Sequence, residues 1–227
     1  GNDRLADARR STGGAAPGPP GYLNQKEGRT VTGLRGIWAA LALGFLAACS
    51  DYGPIEVAPD DVARLEAGLL ALGPEVDPEE AARAARIAFE YTGVLAREYE
   101  ITDPPLVHNT KVNMGLRPRG LCWHWAEDME KRLLAEDFQT LDVLRAIANS
   151  ESDWLIDHST ALLAPRGGSL EQAMVLDPWR YGGRLAWATV PEDTRYDWVP
   201  QEVVHARWRS EIAAGTRKGP PVGASLQ

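Results

Sequence analysis

An α+β domain, with helices in its first half and an antiparallel sheet in its second, is predicted by three features of this sequence. Apolar residues recur at helical spacing between Asp60 and Tyr99, and again after Leu121. From about Thr140 the pattern breaks into short apolar segments, Leu141–Ala148, Leu155–Leu163, Ala173–Leu176 and Leu185–Val190. The later ones are separated by the turn signals Arg166-Gly167-Gly168 and Tyr181-Gly182-Gly183. Helices followed by strands, rather than alternating with them, are the mark of α+β architecture.

Each helix can be justified in order. Val62, Leu65, Leu69, Leu70 and Leu72 share one face of a helix over residues 60–72, which Gly73-Pro74 stops. Asp77-Pro78-Glu79-Glu80 places a capping side chain, a proline at the first helical position and acids in the first turn. That start predicts a helix to about Tyr99, with Ala84, Ile87, Ala88, Tyr91 and Leu95 as its buried stripe. Residues 100–120 hold Asp103-Pro104-Pro105, Asn109, Asn113, Gly115, Pro118 and Gly120, a density of breakers that predicts a long ordered loop. The loop delivers the chain to Cys122, and Trp125, Met129 and Leu133 predict a helix that runs toward Phe138 with Cys122 near its N-terminus. The expected whole is two or three helices, with the Cys122 helix packed on a sheet of about four strands.

With 227 residues, 44% hydrophobic and 25% charged, the composition suits one medium domain around a single core. The net charge is −8, and because residues 1–48 hold six Lys/Arg against three Asp/Glu, the acidity lies in the rest of the chain. An acidic domain without a basic run excludes a nucleic-acid partner, which is bound through clustered Lys/Arg.

Residues 36–47 form an uncharged, mostly apolar run preceded by Lys26, Arg29 and Arg35. It is too short to cross a bilayer, which takes about 20 helical residues, but fits the apolar region of a secretory signal. It ends in Leu46-Ala47-Ala48-Cys49, which resembles the bacterial lipobox. The resemblance implies cleavage before Cys49 and lipidation of its thiol, hence a lipid-anchored protein of the cell envelope. Ser50, where an Asp would signal inner-membrane retention, points to the outer membrane facing the periplasm. The expected organisation is a leader over 1–48, a tether over 49–58, the folded domain over 59–215 and a flexible tail over 216–227. With Cys49 occupied, Cys122 is left as the free thiol of the mature protein.

A thiol becomes a useful nucleophile beside a helix N-terminus and an imidazole. Cys122 has the first by position. His158 begins one predicted strand and Asp177 ends its partner across the Arg166-Gly167-Gly168 turn, so a hairpin would bring both to one open end. Asp177 could then orient the imidazole, the logic of nucleophile, base and orienting carboxylate. His124 lies about 200° around the helix from Cys122 and is read as structural, with His108 and His205. A closed zinc site needs four ligands in close-set pairs, and one thiol with scattered histidines offers none. No metal or cofactor is expected.

Gly120-Leu121-Cys122-Trp123-His124-Trp125-Ala126 resembles the Gly-x-Cys-Trp-x-x-Ala start of the catalytic helix in transglutaminase-like, papain-related proteins. Val175-Leu176-Asp177-Pro178 is similar to the Leu-Asp-Pro after their third catalytic residue, and the gaps of 36 and 19 residues between Cys122, His158 and Asp177 also suit them. The resemblance covers residues 120–180 and departs in two places. Ser159-Thr160 stands where an aromatic commonly follows the histidine, and no glutamine precedes Cys122 as an oxyanion donor. Asn113 is the nearest amide, and the indole of Trp123 or Trp125 is another candidate; the backbone N–H of Cys122 is the most defensible donor. The resemblance implies acyl transfer at a peptide or peptidoglycan-type amide by a Cys122–His158–Asp177 triad, as a peptidase, amidase or transamidase. The alternative is a catalytically inactive relative that binds or scaffolds in the envelope.

Overall fold

The computed structural model describes residues 52–152 and 154–217. The expected leader, its lipobox residue Cys49 and the residues beyond 217 lie outside them. Among the described residues five α-helices accompany one antiparallel sheet of five strands. In chain order these are α1 (Pro59–Leu70), α2 (Pro78–Glu98), α3 (Pro105–Asn113), α4 (Cys122–Leu134), β1 (Leu141–Ala148), β2 (His158–Pro165), β3 (Met174–Asp177), β4 (Ala186–Thr189), β5 (Val199–Pro200) and α5 (Gln201–Ala213). The sheet order is β4-β3-β2-β1-β5. The architecture is the expected α+β, with one more strand and two more helices than the sequence predicts.

The two unpredicted helices have separate causes. Pro105 opens α3, where a missing N–H costs nothing because the first amides of a helix have no partner in it. The reading of residues 100–120 as irregular throughout is therefore corrected: the Pro104-Pro105 pair starts a helix, and the turn to Gly115, at φ +72°, ends it. In α5 only Val204 and Trp208 are buried, one turn apart, too narrow a stripe to register as periodicity.

Central strand β2 has all eight residues buried, and its side chains divide by parity between two cores. Ala161 and Leu163 join Leu65, Leu69, Ile87, Met129 and Leu133 from α1, α2 and α4. Leu162 and Ala164 join Val175 and Trp198 on the other face. Four fully buried alanines on α2, Ala81, Ala84, Ala85 and Ala88, let α1 and α4 approach it closely. The chain before α1 also lies on this body. Gly53, at φ +110°, donates its N–H to the Gly182 carbonyl at 2.9 Å, and a Cβ there would sit 2.6 Å from the Ile101 carbonyl oxygen.

Asp77 caps α2 by accepting from the amides of Glu79 and Glu80 at 2.9 and 3.0 Å. Glu80, 7% exposed, accepts from the amides of Gln139 and Thr140 at 2.6 and 2.8 Å and from the Thr140 hydroxyl at 2.6 Å. It thereby holds the crossing from α4 into β1. Burial alone would raise its pKa, but these hydrogen bonds and Arg83 carry it below the ordinary carboxylate value. Glu80→Ala strands two backbone donors, and a loss of about 2–4 kcal/mol in denaturant unfolding is expected. A depressed carboxyl stabilises above its unfolded pKa, so the gap between variant and native protein should close as pH falls below about 4.5. A loss under about 0.5 kcal/mol at neutral pH would show that Glu80 ties nothing.

Candidate active site

Cys122 is the first residue of α4, and the turn before it is braced from three sides. Gly120 takes φ +120°, and a Cβ there would lie 2.4 Å from His108 Nε2, so only glycine fits. His108 in turn makes a 2.9 Å hydrogen bond to the Arg119 carbonyl. His124 folds back so that its Nδ1 accepts the amides of Gly120 and Leu121, each at 3.1 Å. Burial and nearby Arg119 lower the His124 pKa to about 4, which keeps the ring a neutral acceptor. Trp125 Nε1 donates to the Gly120 carbonyl at 3.1 Å.

His158 and Asp177 meet through strand register. Ala161 pairs with Leu176, so the next pair inward sets Thr160 opposite Asp177 and leaves His158 as the diagonal neighbour on the same face. His158 Nε2 lies 2.7 Å from Asp177 Oδ2. The connection between the strands is longer than a tight turn, since a 3₁₀ segment, Leu170–Gln172, lies within it.

Burial and two neighbouring groups act on the imidazole. Burial opposes its charge, but Asp177, and behind it Cys122, carry the His158 pKa up to about 9. Its Nδ1 is buried and makes no hydrogen bond of ordinary geometry. The thiol of Cys122 instead donates to the carbonyl of Asp157, the residue before His158, at 3.5 Å. The sulfur is thus near enough to act on the imidazole without completing a bond to it. Burial alone would raise the Asp177 pKa; His158 and Arg180 reverse this and hold the carboxyl ionised.

Several residues absent from the sequence-based expectation complete the site. Arg180 donates from Nε to Asp177 Oδ2 at 2.9 Å and from its backbone amide to Oδ1 at 3.1 Å. Its two terminal nitrogens bond Asp193 at 3.0 and 2.5 Å. Trp179, Tyr196 and Trp198 put ring centroids 4.7, 4.6 and 5.4 Å from that of His158. The aromatic neighbourhood that Ser159-Thr160 cannot supply comes from other parts of the chain. Arg180 lies three residues after Asp177 in the turn that follows β3, and neither it nor Asp193 or Tyr196 carried a signal in the sequence.

The oxyanion candidates are not brought together with this pair. Asn113 is exposed at the end of α3, and the amide that reaches the site wall is Asn109, whose Oδ1 accepts from Trp179 Nε1 at 3.0 Å. Trp123 packs on His124, with ring centroids 3.7 Å apart, and under Arg119. Trp125 has its N–H committed to Gly120. The amides that open α4, that of Cys122 first, remain the donors without intrahelical acceptors.

A cleft of about 620 Å³ reaches His158 between Pro104–Leu106 and Trp154–Asp157, with Trp179 and Tyr196 as further wall. Cys122 lies beneath it, 7% exposed, among Leu95, Tyr99, Trp125 and Trp179. Among the described residues no group of three or more His, Cys, Asp or Glu is placed to hold a metal ion. The arrangement can hold a proton on an imidazole between a carboxylate and a thiol; the imidazole lines the apolar cleft, and the thiol does not. Comparisons with family models, with curated proteins and with solved structures find no match for this chain.

Proposed function

We propose that this chain is a cysteine-nucleophile hydrolase of amide bonds, a peptidase or amidase of the transglutaminase-like, papain-related kind, anchored in the cell envelope by lipid on Cys49. One observation carries the enzymatic part. His158 gives Nε2 to a buried, ionised Asp177 and keeps Nδ1 unbonded beside the thiol that opens a helix. His108 also bonds through Nε2 and leaves Nδ1 unbonded, but its partner is a backbone carbonyl; what sets His158 apart is the ionised carboxylate on one side and the influence of the Cys122 thiol on the other.

In this reading Cys122 Sγ attacks the substrate carbonyl carbon while its proton resides on His158 Nδ1. The carbonyl oxygen gains the negative charge and takes the Cys122 amide N–H. Collapse breaks the C–N bond, His158 gives its proton to the leaving amine, and a thioester remains on Cys122. Water, deprotonated by His158, then releases the acid and restores the thiol. The apolar walls of the cleft favour a substrate with an apolar group beside the scissile amide.

A second reading, an inactive relative that binds in the envelope, is favoured by one feature: the sulfur is nearly covered and bonded to the Asp157 carbonyl. Alkylation separates the two. A Cys122 that iodoacetamide does not modify in the folded protein at neutral pH supports the inactive form.

Cys122→Ala should abolish turnover, and His158→Ala should be nearly as severe, because the leaving amine loses its acid. Asp177→Asn should cost about 10- to 1000-fold in kcat, since it misorients the imidazole but leaves thiol and base in place. Circular dichroism should show all three folded; activity retained in Cys122→Ala would end the acyl-enzyme mechanism. Turnover of the native protein should fall as pH rises past about 9, where His158 gives up the proton that the amine requires. The same group, raised from 6.5, stabilises the fold fully below about 6.5 and loses that contribution as pH passes 9. For the anchor, Cys49→Ser should release the protein from detergent-soluble membrane material, and unchanged processing and partitioning would count against the lipobox.

A further inference from the structure

We propose that Arg180, held in place by Asp193, is a positioning residue that keeps the Asp177 carboxylate aimed at His158 Nε2 and so reserves Nδ1 for the thiol. The inference rests on the reading of Cys122 and His158 as nucleophile and base, and extends it to two residues that touch neither substrate nor thiol.

The argument begins with the isolation of Asp177. At 1% exposed it has no water to orient it, so its direction is set by the hydrogen bonds it accepts. There are three. His158 Nε2 and Arg180 Nε converge on Oδ2 at 2.7 and 2.9 Å, and the Arg180 amide takes Oδ1 at 3.1 Å. Two of the three therefore come from one residue. Without them a single imidazole would have to hold a fully buried carboxylate both ionised and fixed in angle.

Arg180 can do this only because its own geometry is fixed. Its side chain is 9% exposed, and Asp193, 2% exposed at its side chain, takes both terminal nitrogens of the fork. That leaves Nε pointed at Asp177. Asp193 is itself satisfied by Trp198 Nε1 at 3.0 Å and by the Arg195 amide at 3.3 Å. Two acids, one guanidinium and a protonated His158 balance in charge, which a buried cluster requires. Tyr196 ties the two halves together: its ring lies 4.6 Å from the His158 ring and 4.8 Å from the Arg180 guanidinium carbon. A lysine could supply the charge here but not the fork.

The groups that face His158 are Asp177, Arg180 through it, Cys122 and Tyr196, with Asp157 next in the chain; of these only Arg180 steadies Asp177. The test reads His158 directly, by ¹⁵N NMR of its imidazole across pH in the full chain. The variants are Arg180→Lys and the double substitution Arg180→Met with Asp193→Leu, which leaves no buried charge unpaired. The His158 midpoint should fall by about one pH unit, a tenfold change in proton affinity, in the double variant, and by less in Arg180→Lys. A folded double variant whose His158 titrates as in the native protein, or at higher pH, overturns the role. Should the double variant fail to fold, Arg180→Lys decides: a lowered midpoint supports the positioning role, and a native one makes Arg180 a structural tie only. Turnover in Cys122→Ala would sink the acyl-transfer reading instead, and would leave the titration untouched.

Discussion

The carboxylate of Asp177 is the constraint on which the rest of the site depends. It is a fully buried charge at the last residue of β3, and every feature around it answers the cost of burying it. His158 and Arg180 supply opposite charge and three hydrogen bonds between them, and Asp193 neutralises Arg180 in turn. Remove any one member and the charges that remain no longer balance where water cannot reach. The cluster is thus a poor way to gain stability, since apolar residues of the same volume would pack with less risk. Its persistence in so dry a place is understandable if the chemistry of the imidazole requires it.

A second constraint acts on the backbone that carries the thiol. Cys122 can open α4 only if the chain turns sharply at Gly120, and that turn would leave polar backbone groups stranded among apolar neighbours. His124 and Trp125, from the first turn of the same helix, reach back to satisfy them, one as acceptor and one as donor. His124 serves because burial keeps it neutral; a protonated ring could not accept. Two histidines within a small radius therefore have opposite electrostatics. His158 is pushed up by Asp177 against its own burial, and His124 is pushed down first by burial and then by Arg119.

Geometry at the thiol also shapes what the site can accept. The cleft meets His158 directly, while Cys122 lies one layer deeper, behind the Asp157 carbonyl to which it donates. In the proposed hydrolase, a substrate that approaches along the Trp154–Ile156 wall would have to disturb that hydrogen bond to reach the sulfur. On that wall Trp154, Leu155 and Ile156 are 94%, 60% and 57% exposed. Apolar side chains held that far into solvent stabilise nothing in the free chain.

The order of elements was legible in the sequence because amphipathic periodicity and capping are local: the α2 start at Asp77-Pro78, the buried stripe of α2 and the place of Cys122 at a helix opening all follow from residues within one or two turns. Helix α3 was not legible, because proline marks both the end of regular structure and the start of a helix, and only the packing of His108 against Gly120 and Arg119 distinguishes them here. Nor was α5, whose two buried residues make no pattern. Within the site, the sequence by itself determined that a thiol, an imidazole and a carboxylate stand at element ends where side chains can be spared from the core. Tertiary structure alone decided which nitrogen of His158 meets Asp177, that Arg180 and Asp193 stand behind it, and that Tyr196 and Trp198 surround the ring. Those contacts join residues on different strands and loops, and their register is set by the packing of the whole sheet, to which no local run of side chains is sensitive.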